Sequence, residues 1–190
     1  ELEIDAMDIS CFGETDGPAM VIATGGSSEY SYLWNNNETQ DSIINLVAGN
    51  YSVTVTDSNG CTEVTDTPIN EPAQLFLNLL SVEDVICFGE ATGAITTAVV
   101  GGRTDYTFAW TGPNGFTSTD QNLDTLFSGL YNLTVTDRSG CTDTLDVVIL
   151  QNDEIDIAVT ITEILCFGDN DASITINSIS GGSPPYDVAW

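Results

Sequence analysis

The sequence predicts an all-β chain built as a tandem row of antiparallel β-sandwiches, and three observations predict it. The tripeptide Cys-Phe-Gly recurs at Cys11, Cys87 and Cys166. Apolar and aromatic residues alternate with a period of two, which places them on one face of a strand. Turn signals such as Thr15-Asp16-Gly17, Gly25-Gly26, Asn35-Asn36-Asn37 and Ser58-Asn59-Gly60 fall at roughly 8 to 12 residue intervals, and no stretch longer than one turn has the helical period.

Each element can be justified in chain order. After Cys-Phe-Gly come glycine pairs, Gly25-Gly26, Gly101-Gly102 and Gly181-Gly182. A strand with its bulky residues on one side follows each pair: Tyr30, Tyr32 and Trp34, then Tyr106, Phe108 and Trp110, then Tyr186, Val188 and Trp190. The alternation assigns these rings to the core in preference to a sugar-stacking platform, with Trp34 and Trp110 at its centre. The first two repeats continue through Leu-x-x-Gly-x-Tyr, ending at Tyr51 and Tyr131, into strands with Val53 and Val55 or Leu133 and Val135 facing inward. Each ends in a Gly-Cys-Thr turn at Cys61 or Cys141. Asp57 and Asp137, just before these turns, read as Asx-turn residues.

Cysteine spacings of 76, 79 and 80 residues set the period. They divide the chain into repeat 1 over residues 1–72, repeat 2 over 73–152, and the first half of repeat 3 over 153–190. Pro72 cannot donate a ladder bond and suits a strand end near the first junction. Leu-x-x-Gly-x-Tyr resembles the tyrosine corner of immunoglobulin-like sandwiches, where a tyrosine hydroxyl bonds back across a strand connection. The expectation is therefore tandem immunoglobulin-like antiparallel β-sandwiches of six to seven strands each.

Composition narrows the function classes. The 190 residues include 29 acidic and 2 basic side chains, a formal charge of −27. With only Arg103 and Arg138 basic, neither nucleic acid nor an anionic lipid surface is an expected partner. No apolar run approaches the roughly 20 residues of a membrane span. The opening ELEIDAMDIS has neither the basic region nor the continuous apolar stretch of a signal peptide. Histidine is absent, which removes Ser-His-Asp and Cys-His catalysis and histidine-ligated zinc. No enzyme is expected, and no cofactor. Calcium is the single ion the loops invite, through Glu14 and Asp16, Glu90, or Asp169 and Asp171. The sets differ between repeats, since Thr92 stands where Asp16 does, and calcium needs six to eight oxygen ligands.

The full pattern, from Cys-Phe-Gly through the glycine pair, Tyr-x-apolar-x-Trp and Gly-x-Tyr to Val-Thr-Asp-x-x-Gly-Cys, resembles the SprB repeat, found in tandem in very large surface adhesins of gliding Bacteroidetes. Repeat 3 departs from it with Asp171-Ala172 where repeats 1 and 2 have Asp16-Gly17 and Thr92-Gly93. The resemblance implies a parent exported by the type IX route and displayed at the cell surface. It implies no catalytic or ligand-binding residues. Expected partners are neighbouring repeats of the same chain, other filament subunits, or surface polysaccharide.

For an exported repeat with loops of about 50 residues, an even cysteine count suggests structural disulfides. The expected pairs are Cys11 with Cys61 and Cys87 with Cys141, leaving Cys166 to a partner beyond residue 190. This pairing wants the first and last strands antiparallel; a seven-strand sandwich would separate the two cysteines by about a strand length, near 20 Å. Asp41-Ser42-Ile43, Asp124-Thr125-Leu126 and Asp143-Thr144-Leu145 look like the Asp-[Ser/Thr]-apolar O-glycan acceptor pattern of exported proteins of that phylum. Chance occurrence in a Thr- and Asp-rich chain is the equal alternative. The expectation for function is a structural spacer or shaft, with a carbohydrate-binding module as the alternative.

Overall fold

Period-two alternation buries one face of a strand and exposes the other, and the computed structural model, which describes residues 1–168 and 170–190, is built on that rule. Repeat 1 has six strands: β1 (Leu2–Ala6), β2 (Gly17–Ala23), β3 (Ser31–Trp34), β4 (Ser42–Leu46), β5 (Gly49–Thr56) and β6 (Thr62–Ile69). Repeat 2 has seven: β7 (Phe76–Glu83), β8 (Gly93–Val100), β9 (Thr107–Thr111), β10 (Thr117–Ser118), β11 (Leu123–Leu126), β12 (Gly129–Thr136) and β13 (Thr142–Ile149). A hairpin of β14 (Asp156–Thr162) and β15 (Ser173–Ser180) opens repeat 3. A 3-10 turn at Pro113–Gly115 interrupts repeat 2.

Repeat 1 forms two sheets, ordered β1-β2-β4 and β3-β5-β6, and repeat 2 forms β7-β8-β11 and β10-β9-β12-β13. The fold is all-β and immunoglobulin-like, two antiparallel sheets per complete repeat. Between the sheets of repeat 1 lie Ile9, Ala19, Val21, Trp34, Ile43, Leu46, Tyr51, Val53, Val55 and Ile69. In repeat 2 the matching positions, among them Ile95, Trp110, Leu126, Tyr131, Leu133, Val135 and Ile149, are buried likewise. Thr97 is the polar exception where repeat 1 has Val21. Its amide and hydroxyl donate to Asn122 Oδ1 and the Gln121 carbonyl, both at 2.9 Å, so its burial leaves nothing unpaired. In the β14–β15 hairpin Ile157, Val159, Ile161 and Ile174 remain about half exposed or more.

By contact density the chain forms two compact units. The first comprises Glu1–Leu77, Val99–Thr107 and Val135–Asp143; the second comprises Asn78–Ala98, Phe108–Thr134 and Thr144–Trp190. The glycine-pair turn and Gly-Cys-Thr hairpin of repeat 2 thus belong to the same unit as the whole of repeat 1.

The cysteine pairing differs from the expectation. Cys11 is bonded to Cys141, with S–S 2.06 Å and Cα–Cα 5.7 Å, while Cys61, Cys87 and Cys166 are exposed thiols. Neither Cys11–Cys61 nor Cys87–Cys141 forms, because the first and last strands of a repeat run parallel. The Ile9 amide donates to the Asn70 carbonyl at 2.9 Å beyond the far end of β6, whereas the Glu1 ammonium lies 3.4 Å from Glu63 near its start. In repeat 2, Val85 and Gln151 form a parallel bridge. Cys61 precedes an eight-residue strand that ends near Cys11, a separation of about 26 Å at 3.3 Å per residue. The even strand count misleads because residues 35–41 cross between sheets without counting as a strand. Across that crossing the Trp34 amide donates to Glu38 and the Val21 amide to Asp41.

Candidate functional site

Each complete repeat has a Cys-Phe-Gly loop at one end and a Gly-Cys-Thr hairpin at the other. In the first loop the Ser10 amide donates to Asp16 Oδ1 at 3.1 Å and the Glu14 amide to the Cys11 carbonyl at 3.1 Å. The Gly13 amide reaches Glu71 Oε2 at 2.9 Å, and Asp8 Oδ1 accepts the Asn70 amide at 2.9 Å. The second loop repeats every bond. Ile86 donates to Thr92 Oγ1, Glu90 to Cys87, Gly89 to Gln151 Oε1 and Leu150 to Asp84 Oδ1. In the third, Leu165 donates to Asp171 Oδ1 at 3.4 Å. Asp16, Thr92 and Asp171 therefore share one task, accepting an amide to close the turn, and a threonine hydroxyl performs it as well as a carboxylate. Hydrogen bonds from Ser10, side chain and then backbone, hold the Asp16 carboxyl below its usual range.

Among the described residues no group of three or more Cys, Asp or Glu converges as a metal site. Asp169 lies outside the described residues.

At the opposite end, Asp137 organises the hairpin. Its Oδ1 accepts the Ser139 amide at 2.8 Å and the Cys141 amide at 2.9 Å, and its Oδ2 accepts the Arg103 amide at 2.8 Å. Asp57 does the same in repeat 1 with Asn59 at 2.9 Å, Cys61 at 2.9 Å and Ser27 at 3.2 Å. Both pKa values are lowered. For Asp57 the Cys61 amide is the largest cause, followed by that of Ser27. For Asp137 burial pushes upward, and the amides of Arg103, Cys141, Ser139 and Gly140 together outweigh it. The Asx-turn reading was correct and incomplete, because each carboxylate also ties the hairpin to the glycine-pair turn.

In repeat 2 the glycine pair makes room for this approach. A Cβ on Gly101 would lie 1.8 Å from the Gln74 carbonyl oxygen, and one on Gly102 would lie 2.8 Å from Asp137 Oδ2. Both have positive φ, +73° and +60°, which disfavours any side chain. A tyrosine then locks the turn: Tyr106 donates its hydroxyl to the Gly101 carbonyl at 2.6 Å, and Tyr30 and Tyr186 do so to Gly25 and Gly181. Sequence reasoning placed these tyrosines in the core and missed this bond, although the fixed Gly-x-x-x-x-Tyr spacing in all three repeats signals it. Tyr51 and Tyr131 make the expected corner bonds, to the carbonyls of Val47 at 3.1 Å and Phe127 at 2.9 Å. Burial raises the Tyr131 pKa, against a smaller opposing effect of the Phe127 bond.

Loop and hairpin meet where Cys11 joins Cys141. The Ser10 carbonyl oxygen lies 3.4 Å from Cys141 Sγ, and Arg103 Nη2 donates to the Ile9 carbonyl at 3.4 Å. The two basic side chains of this acidic protein both belong to this end of repeat 2, Arg138 pairing with Asp105 at 3.7 Å. Cys11 and Cys141 are half-buried, whereas the equivalent Cys87 and Cys61 are exposed. A shallow depression of about 420 Å³ runs beside Cys61, lined by Glu1, Gly26, Tyr30, Asp57 and Glu63 among others.

The alternating rings of the two complete repeats do not form an exposed platform. Trp34 and Trp110 are 1% exposed, and Tyr30, Tyr32, Tyr106 and Phe108 are half-buried. Phe116 stacks edge-on against Tyr131, with ring centroids 5.4 Å apart. Exposed rings occur in the Cys-Phe-Gly loops, where Phe12 and Phe88 are each 49% exposed at equivalent positions, and at Phe76, the first residue of β7. Ser42, Thr125 and Thr144 all lie on the surface.

Compared with known proteins, the chain matches the family model described as SprB repeat three times, over residues 4–39, 79–115 and 158–190, together more than half its length. No curated protein sequence matches. Among solved structures, a C-terminal fragment of intimin, in complex with the intimin-binding domain of its translocated receptor, aligns at 13% identity and a TM-score of 0.43. The alignment covers 83% of this chain and 65% of the fragment, so the chain spans less than two thirds of it. An amphioxus IgVJ-C2 molecule aligns at 15% identity and a TM-score of 0.35, covering 78% of this chain and 96% of its own. The Dpr2 Ig1-Ig2 complex with DIP-Theta aligns at 10% identity and a TM-score of 0.34, covering 83% and 69%.

Proposed function

Because the chain belongs to the SprB repeat family, we propose that it is a non-enzymatic spacer or shaft segment of a large exported cell-surface adhesin or filament, serving attachment or gliding. The repeats are read as 1–72, 73–152 and, in part, 153–190. One observation carries the reading. Of the residues the repeats share, the tryptophans, corner tyrosines, glycine pairs and cage aspartates close the fold, and Cys11 and Cys141 tie the loop of repeat 1 to the hairpin of repeat 2. Export would supply the oxidising environment a structural disulfide needs. Among the described residues no helix is long and apolar enough to cross a membrane.

Small-angle scattering on chains lengthened by added copies of residues 73–152 tests the spacer. Each copy should add roughly 30 Å to the maximum dimension, the length of an eight-residue strand plus its end loops. A maximum dimension that stays constant as copies are added would sink the reading.

Polysaccharide recognition through the loop faces is favoured by the equal exposure of Phe12 and Phe88, since rings repeated off the core period suit stacking on sugars. Binding to a surface polysaccharide that is lost in Phe12→Ala, Phe88→Ala would establish it. Equal retention of wild-type and double variant on a polysaccharide column would remove it. Ser42, Thr125 and Thr144 are the proposed O-glycan acceptors; a native mass equal to the bare polypeptide would exclude them.

A further inference from the structure

The Cys11–Cys141 bond joins the loop of repeat 1 to the hairpin of repeat 2. Moved by one period in either direction, the same rule gives work to two thiols that have none. We propose that Cys61 and Cys87 are halves of further inter-repeat staples. Cys61 takes the Cys-Phe-Gly cysteine of a repeat placed before it, and Cys87 takes the Gly-Cys-Thr cysteine of a completed repeat placed after it. The result is a continuous covalent ladder, one rung per junction. It rests on the spacer reading and gives that spacer its mechanical design.

Three observations on different parts of the chain support the ladder. First, the hairpin bearing Cys61 has the carboxylate cage of the hairpin bearing Cys141, amide for amide. Beside Cys61 is an open depression of about 420 Å³, whereas beside Cys141 stands the Cys11 loop. Second, the loop bearing Cys87 has the bonds of the loop bearing Cys11. Third, the second junction is built like the first. Arg103, next to its glycine pair, meets the Ile9 carbonyl at 3.4 Å. Ser183, at the matching position of repeat 3, is linked to the second loop through Asn152, whose amide donates to both Ser183 Oγ and the Ile86 carbonyl at 3.0 Å. The Gly182 amide donates to the Asp153 carbonyl at 2.8 Å, as Gly102 does to Ala73. A hairpin completing repeat 3 would therefore be brought to Cys87 as Cys141 is brought to Cys11.

Forming each rung joins two sulfurs and releases two protons and two electrons. A small-molecule disulfide such as oxidised glutathione accepts the electrons by thiol–disulfide exchange and leaves as two thiols. Arg103 has no counterpart in repeat 1, where Ser27 stands, so the Cys61 rung lacks the arginine contact to the incoming loop.

The test extends the full chain at each end and maps disulfides by non-reducing digestion and mass spectrometry in a glutathione redox buffer. Placing a copy of residues 73–152 before Glu1 should link the added Cys87 copy to Cys61 and abolish alkylation of Cys61. Placing a copy of residues 111–152 after Trp190 should link Cys87 to the added Cys141 copy. Cys11–Cys141 should persist in both. Either new link, with Cys61 or Cys87 no longer alkylated, supports the ladder, so misfolding of one extension leaves the other decisive. Links within a repeat, such as Cys87–Cys141, or full alkylation of Cys61 and Cys87 in the folded extensions, would overturn it. Failure of the spacer reading would show differently, as scattering dimensions that do not grow with repeat number.

Discussion

Pulling the chain by its ends gives a length that depends on which cysteines are joined. The Cys11–Cys141 bond encloses 130 residues and holds its Cα atoms 5.7 Å apart. An oxidised chain, however completely unfolded by force, keeps that segment out of its contour. At about 3.5 Å per residue, reduction should add roughly 450 Å to the fully stretched length. Two bonds within repeats, each closing about 50 residues, would hide only about 350 Å by the same conversion. Single-molecule force spectroscopy on the chain tethered at residues 1 and 190, with and without dithiothreitol, resolves that difference. A gain near 350 Å, or none, would refute the pairing. The same bond should affect equilibrium stability, because closing a loop this long raises the free energy of the unfolded chain by about 5 kcal/mol at room temperature in the chain-entropy model. Cys141→Ser should accordingly shift the urea midpoint sharply downward while leaving the strand signature in circular dichroism.

Further outcomes follow from the turns and cages. Asp137→Ala leaves the amides of Arg103, Ser139 and Cys141 without their acceptor and should cost about 3 kcal/mol in urea unfolding; no loss would mean that the cage is incidental. Asp57 and Asp137 have pKa values lowered by folding, so their stabilisation is complete above the unfolded carboxylate value of about 4 and is lost as pH falls through the lower folded values. The urea midpoint should be flat near neutrality and decline only in acid, with a shallower decline in Asp137→Asn; an identical decline in that variant would contradict the assignment. Tyr131→Phe removes the hydroxyl bonded to Phe127 from a buried ring and should cost about 1 to 2 kcal/mol, measured in the same way. Gly101→Ala puts a methyl 1.8 Å from the Gln74 carbonyl oxygen and should reduce soluble yield, with any recovered protein melting lower; wild-type melting would show that the turn can shift.

How far the sequence discloses this molecule depends on whether a residue's partner is set by period or by topology. Alternation places Trp34, Trp110, Val53, Leu133 and Val135 in the core, because a strand has two faces and the bulky apolar residues at period two share one of them. Tyr51 and Tyr131 were legible for a related reason: their partners lie four residues upstream, within reach of a local pattern. The glycine pairs were visible as turns, but their cause was not. For Gly101 and Gly102 it is a close approach to Gln74 and Asp137, residues far away in the chain. Cysteine pairing failed at the same boundary. Strand counting ties the ends of a repeat together only if every crossing of the sandwich is counted, and residues 35–41 cross as irregular chain. That one uncounted crossing changes β1 and β6 from antiparallel to parallel, moves Cys61 a full strand length from Cys11, and leaves Cys11 facing the hairpin of the following repeat. The partner of Cys11 is Cys141, the cysteine that holds in repeat 2 the place Cys61 holds in repeat 1, so the bond fastens a junction and not a single sandwich.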